Sequence, residues 1–442
     1  MESSTAVNRH YLDHVIALSG SHGAEAIEDI FAESGIKLLA KGGRIDGSTR
    51  ERLLMHRLRK PLEDSVRFEH NLSATRIGQQ AEALLDQSSL LQSLYNGRSN
   101  GEATRNLREL ELHPKLQTLN TLYAESQPGK LPHAVGASLL CSGLMNRLRP
   151  GDTTSQRIVM TAGLSHDIGE LYMDPAPLAQ LDPLEPDDWR HVAAHPVVAQ
   201  RLLTSMPSVG TQVGETVLNH HERLDGFGYP RGLKGGQIGL HSQVLAVCEM
   251  LVGFIERSPA PLKRSHIAVS LIPGEFNRQI SDLVAGICHA GSATEAQVVS
   301  QPQLDDNLIR AARVASTPDL PRQVGEWLQS DLPSAGTTPL RALFQQVLQR
   351  LTHIQRAYYS VGLDRLDPDK LTAQVDAIDD PDTRLEIVLV LQEIAWRLKE
   401  LGREAVARVS RLAPLEAPRA RLLADRLIGA ARDSTVPANL GR

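Results

Sequence analysis

Cysteine is scarce: Cys141, Cys248 and Cys288 are the three in 442 residues, and no two stand close together. Such scatter suits a reducing cytoplasm in which these side chains serve as small buried hydrophobes. Long apolar runs are lacking too. No stretch reaches the roughly eighteen residues that a membrane span needs, and no basic segment leading into an apolar core opens the chain. The expectation is a cytoplasmic protein, neither secreted nor membrane-spanning. Positive charge is not in excess either: a formal net charge of −5 and a pI near 6.4 argue against a binder of nucleic-acid polymers. The arginines of 413–442 are interspersed with acids and read as a solvated helix face. No strand-rich region, internal repeat or long low-complexity tract occurs.

What is present describes a soluble globular chain, 41% hydrophobic and 22% charged. Its length asks for roughly two to four domains. The pattern is mainly α. Residues 1–68 form a small mixed unit, with a helix around Glu25–Glu33, a short strand at Ile36–Ala40, a Lys41-Gly42-Gly43 turn and a helix over Thr49–Leu58. A helical connector spans 69–124, broken at Asn96–Gly101. The stretch 125–292 carries the chemistry. Within it, Glu185-Pro186-Asp187-Asp188 is a helix start, followed by Trp189, Val192, Val197 and Leu202 as one packed face. Ser292–Pro339 is looser, with a boundary near 292–305, and a helical C-terminal region occupies 305–442.

Two clusters stand out. Ala162-Gly163-Leu164-Ser165-His166-Asp167-Ile168-Gly169 places a His-Asp pair at the end of an apolar segment. About fifty residues later, His220-His221-Glu222-Arg223-Leu224-Asp225-Gly226-Phe227-Gly228-Tyr229-Pro230 runs adjacent histidines into an acid and a glycine-bearing turn. Neutral imidazole and carboxylate are ligands that divalent metals accept. Pooled with His133, His195 and Glu249, these residues make seven candidate ligands: His133, His166, Asp167, His195, His220, His221 and Glu249. That is too many for one tetrahedral zinc and about right for two metals with open positions. Helices could each lend one or two of them to a shared interior site. His191, four residues before His195 on the same helix face, is a surface or supporting residue rather than a ligand. The Asp225–Pro230 turn has unusual backbone demands and serves either as a rigid turn or as a guanine contact.

These residues resemble the HD-GYP family, the metal-dependent branch of the HD superfamily that hydrolyses cyclic di-GMP. His166-Asp167-Ile168-Gly169 is similar to the superfamily signature, and the 220–230 pattern to the motif that defines the branch. The resemblance covers about 125–290 and implies an all-helical domain in bacterial second-messenger signalling. It also implies two divalent metals, iron or manganese first and zinc as an alternative, with Asp167 bridging and the histidines and Glu249 completing both shells. Glu249 stands where the family has aspartate. Glu170 stands where it has a lysine on the substrate phosphate, and joins Asp167 in the catalytic set. A carboxylate there repels an anionic substrate unless it points away, pairs with a cation or binds metal. Gly129 takes the place of a glutamate that supports a third metal in some members, which favours a dinuclear site. Asp225, Gly226, Gly228, Tyr229, Pro230 and Arg257 are the substrate-side residues by resemblance. A protein partner through the Gly-Tyr-Pro loop or the C-terminal helices is compatible with it, as is a homodimer. The competing readings are a degenerate module that binds metal, nucleotide or partner without turnover, and a nucleotide phosphohydrolase of the wider superfamily, which leaves 220–230 idle.

Overall fold

We describe the fold from a computed structural model, for residues 6–95, 100–179, 186–291, 303–316 and 338–409 together with Glu295 and Glu326. The chain divides into two compact units that do not follow sequence order. One comprises Met1–His221 and Ile238–Glu256, the other Glu222–Gln237 and Arg257–Arg442. Both are mainly α, as the sequence predicts.

The first unit opens with α1 (Arg9–His22), whose free N–H groups are met by the Asn8 side chain. Here the helix expected over Glu25–Glu33 is not found. β1 (Ala24–Ala26) and β2 (Ile30–Phe31) replace it, because Ala24 and Ala26 are buried by pairing antiparallel with Phe68 and Val66 of β4 (Val66–Phe68). That partner lies some forty residues away in sequence, beyond the reach of a local pattern. β2 pairs with β3 (Lys37–Leu39), inside the predicted strand, and the glycine turn follows with Gly42 at φ 74°. α2 (Gly47–Leu54) starts on an Asp46–Thr49 capping box.

Four helices follow: α3 (Ala74–Gln87), α4 (Ser89–Tyr95), α5 (Asn100–Arg108) and α6 (Pro114–Ser126). α3 buries Ile77, Ala81 and Leu85, one stripe at a spacing of four. Of the predicted break at Asn96–Gly101, residues 96–99 lie outside the described residues, and α5 begins at Asn100. α7 (Lys130–Leu148) is buried almost all round from Ala134 to Met145 and is the unit's central helix. α8 (Thr153–Ser165) packs along it and closes on Asp152, whose side chain accepts from Ser155 N–H. The small helix α9 (Pro175–Ala179) precedes α10 (Pro186–Val192), which begins at the predicted proline. The single packed face expected from Trp189 to Leu202 is two helices. A turn at Ala193-Ala194 separates α10 from α11 (His195–Thr204), and Pro196, which has no N–H to give, sits in the first turn of α11. α12 (Thr211–Leu218) leads to the paired histidines, and α13 (Leu240–Arg257) returns through the unit with Val244–Cys248 and Met250–Phe254 buried.

In the second unit, α14 (Pro261–Ser270), α15 (Arg278–Gly291), α16 (Asp306–Ser316) and the helices Thr338–Ser360 and Pro381–Val409 surround a core of Phe227, Leu308, Phe344, Val347, Leu391 and Ile394. The expected boundary near 292–305 falls largely outside the described residues, as do residues 410–442 with their arginines. A buried ion network runs through this core. Glu275 accepts from Arg350 and Arg397, and Arg350 also binds Asp225. The loop Glu222–Gln237 is folded onto the same scaffold. The Glu222 carboxylate takes the N–H groups of Arg231, Gly232 and Leu233, Gly226 adopts φ 82°, and Arg408 donates to the carbonyls of Gly226 and Gly228 at 2.7 and 2.9 Å. The three cysteines are free and buried, as expected.

Candidate metal centre

The first unit gathers all seven candidate ligands at one place, and Asp167 lies at its centre. His133 comes from the first turn of α7, His166 and Asp167 from the end of α8, and His195 from the start of α11. His220 and His221 follow α12, and Glu249 comes from the middle of α13.

Asp167 faces two ways. Its Oδ2 lies 3.3 Å from His166 Nε2 and 3.6 Å from His133 Nε2, while its Oδ1 lies 3.3 Å from His195 Nε2 and 3.7 Å from His220 Nε2. Glu249 Oε2 joins the first side, 2.9 Å from His166 Nε2 and 3.3 Å from His133 Nε2. His221 joins the second, its ring centroid 4.0 Å from that of His220 and 5.1 Å from that of His195. Donor atoms of His133, His166 and Asp167 converge, and so do those of Asp167, His195, His220 and His221.

The outward nitrogens fix which way the inward ones point. Nδ1 of His166, His195 and His220 lies against the carbonyls of Gly163, Val192 and Val217, at 2.8, 2.8 and 2.5 Å. A carbonyl only accepts, so each Nδ1 carries the proton and each Nε2 presents a lone pair inward when neutral. His133 Nδ1 is held instead by Glu256 Oε1 at 2.8 Å. Inward nitrogens then meet head-on: His133 and His166 at 3.1 Å, His195 and His220 at 3.2 Å. Two lone pairs at that separation require a proton or a cation between them.

Electrostatics supply the same test. Burial lowers the His133 imidazole, but Glu249 and Glu256 outweigh it and raise the group to about 10. Burial, reinforced by the neighbouring His195 and His166, pushes His220 down to about 3. Burial works against ionisation of Asp167 and Glu249, yet the surrounding imidazoles hold both well below the carboxylate range. Protons on imidazole therefore balance the buried carboxylates here, and a divalent cation held by nitrogen and oxygen donors would replace them. The residues fit such an ion.

Three functional neighbours escaped the sequence reading. Tyr123 of α6 donates its hydroxyl to Asp167 Oδ2 at 3.0 Å, fixing the central carboxylate. Glu256 orients His133, a role that its position two helical turns after Glu249 could have suggested. Lys130 lies 2.5 Å from Glu170 Oε2 and three residues before His133, which puts it on the same helix face. Glu170 thus has a cation partner, one of the three conditions under which it would not repel an anion. His191 is exposed and accepts from Asp174 N–H, away from ligand duty.

The remaining predicted residues belong to the second unit. Asp225 accepts from Phe227 N–H and from Arg350, and Gly226 and Gly228 are held through their carbonyls by Arg408. Tyr229 is buried, Pro230 is half-buried, and Arg257 ends α13 exposed.

Residues 117–271 match the HD domain family model. This segment is thus similar to an HD domain. The match spans α6 to α14, and so includes every ligand candidate, Tyr123, Lys130 and Glu256. Among curated relatives, a cyclic di-GMP phosphodiesterase of Pseudomonas aeruginosa is 34% identical over 118 residues, 27% of this chain and 28% of the relative. A cyclic di-GMP phosphodiesterase of Thermotoga maritima is 31% identical over 116 residues, 25% of this chain and 32% of the relative. The 3'3'-cGAMP-specific phosphodiesterase 1 of Vibrio cholerae is 31% identical over 140 residues, 32% of each chain. The chain therefore spans less than a third of the length of these relatives. No described helix is long and apolar enough to cross a membrane.

Proposed function

We propose that this chain is a metal-dependent phosphodiesterase that hydrolyses cyclic di-GMP at a dinuclear site. The observation that carries the reading is the division of Asp167: one carboxylate oxygen faces His133 and His166, the other His195 and His220. A single tetrahedral ion would leave half of these donors idle. His133, His166 and Glu249 would hold one ion, His195, His220 and His221 the other, and Asp167 would bridge. Two such ions, when bound, clamp phosphoryl oxygens and make a nucleophile available from water at neutral pH. Imidazole and carboxylate donors suit iron or manganese, and zinc accepts the same set.

The protein's own contribution is order. Backbone carbonyls fix three imidazole tautomers, Glu256 fixes the fourth, and Tyr123 prevents Asp167 from rotating. Tyr123 is buried, and together these contacts keep the donor set aligned before substrate arrives. The Lys130–Glu170 pair removes the repulsion that an isolated Glu170 would exert on a phosphodiester. That favours turnover over the degenerate, non-hydrolytic module. We assign Asp225 to the folding of its own loop, since its carboxylate is committed to Arg350 and the Phe227 N–H, and keep Gly226, Gly228, Tyr229, Pro230 and Arg257 as substrate-side residues. The relatives named for cyclic di-GMP support the substrate class, and the scattered cysteines support a cytoplasmic setting.

The test is metal content together with cyclic di-GMP hydrolysis in wild type and Asp167→Ala. Two ions per wild-type chain, with turnover, and loss of both in the variant while helical circular dichroism persists, is the expected result. Wild-type turnover by Asp167→Ala at matched metal occupancy would overturn the two-metal reading.

A further inference from the structure

Lys130 is the one permanent cation among the residues placed around the cluster, which also includes Tyr123, Glu170 and Glu256. Its Nζ lies 2.5 Å from Glu170 Oε2 and 5.1 Å from the centre of the Tyr123 ring, the same ring whose hydroxyl holds Asp167. Neither partner is sealed off: the Lys130 side chain is 24% exposed and that of Glu170 16%. An ammonium has three donors in rotating positions, and Glu170 takes one of them. The aromatic face satisfies part of the charge without consuming a hydrogen-bond direction. Lys130 can therefore keep its carboxylate and still present a donor to a second anion.

We infer that Lys130 is the phosphate-contacting residue of this site, held at its rim by Glu170 as a positioning residue. The inference rests on the phosphodiesterase reading and names the part of the substrate that Lys130 meets, a phosphodiester oxygen. The charge balance favours it. The Lys130–Glu170 pair is neutral by itself, and Asp167, Glu249 and Glu256 set against two divalent ions leave one net positive charge. A substrate that carries one negative charge on each phosphate is drawn to such a pocket, and the ammonium adds direction to that attraction. Glu170 limits the ammonium to one place, so that less freedom is lost when the phosphate arrives.

The pairing offers a decisive experiment, because Lys130 could act in either of two ways. It contacts phosphate, or it merely neutralises Glu170. Binding of a hydrolysis-resistant phosphorothioate analogue of cyclic di-GMP is measured by equilibrium dialysis on full-length, manganese-loaded protein, with metal content verified by elemental analysis. Lys130→Met is expected to weaken binding roughly tenfold or more, as loss of a charge-assisted hydrogen bond does, with two ions still bound. Lys130→Arg is expected to restore most of it. The deciding comparison is made in the Glu170→Gln background, where no charge remains to be neutralised. If Lys130 contacts phosphate, Lys130→Met still weakens binding there by a similar factor. If Lys130→Met is silent in that background, the lysine only offsets Glu170 and the inference fails while the phosphodiesterase reading stands. A wild type that holds two ions but neither binds the analogue nor cleaves cyclic di-GMP overturns both.

Discussion

Glu275 is the residue whose removal tests the second unit most directly. Its carboxylate is 1% exposed, and both oxygens are used: Oε1 accepts from Arg350 Nη2 at 2.5 Å, and Oε2 accepts from Arg397 Nε and Nη2 at 3.1 and 2.9 Å. Burial alone would raise this carboxyl, but Arg350 and Arg397 outweigh it and bring it from 4.5 to about 2. A fall of that size corresponds to ~3 kcal/mol of folding free energy at neutral pH. Because the folded value is depressed, the contribution is present above about pH 4.5 and is lost as pH falls toward 2. Removing one partner of a buried ion pair leads to the same magnitude, about 3–5 kcal/mol, since Arg350 and Arg397 are left as uncompensated charges. Glu275→Gln keeps the shape and removes the charge. With two units in the chain, unfolding need not be two-state, so the assay is native-state hydrogen exchange read on peptides from 340–360 and 385–405. These amides are expected to exchange about a hundredfold faster at pH 7, the counterpart of ~3 kcal/mol. The gap from wild type should narrow between pH 4.5 and 2. A change below threefold, or a gap independent of pH, would refute the assignment of stability to this network.

Three further outcomes follow from the metal centre. A methyl group on Gly169 would lie 2.1 Å from the His195 carbonyl oxygen, so Gly169→Ala should displace His195 and cost at least one bound ion in elemental analysis while α7 and α8 stay protected from exchange. Metal uptake should release protons, because His133 holds its proton up to about 10 and must give it up to become a ligand. Calorimetry in buffers of different ionisation enthalpy at pH 8 should therefore find at least one proton released, and affinity should fall as pH is lowered; a value of zero contradicts the ligand role of His133. Glu256→Gln should weaken one of the two ions by roughly 10- to 100-fold in competition with a chelator, the usual effect of losing a carboxylate behind a ligating imidazole, and leave the other unchanged.

How much of this was legible in the sequence depended on how far each signal travels along the chain. The seven candidate ligands were readable because their chemistry is unusual for a core: His166-Asp167 and His220-His221 have no packing rationale as neighbours, and each sits at a helix end where the backbone can aim it. Their convergence depends only on helices lending one face each, which a 3.6-residue period encodes locally. The Ala24–Ala26 strand was missed because its partner is Val66–Phe68, and nothing within a local window announces a pairing across forty residues. The turn between α10 and α11 was missed for a subtler reason. Trp189, Val192, Val197 and Leu202 are spaced well enough for one helix, and only the proline after His195 marks the restart. The partners that tune the site fall between these cases. Lys130 and Glu256 share helix faces with His133 and Glu249, so spacing could have nominated them, but a surface-type charge carries no sign that it contacts a site residue. Tyr123 comes from a different helix altogether, and its hydroxyl on Asp167 exists only once α6 packs against α8. Candidate metal ligands are thus written in residue type, whereas the groups that orient them are written in tertiary packing. The Glu170–Lys130 pair shows why this matters for function. Read in sequence, Glu170 is a charge reversed beside an anionic substrate; read in three dimensions, it is half of an ion pair with Lys130.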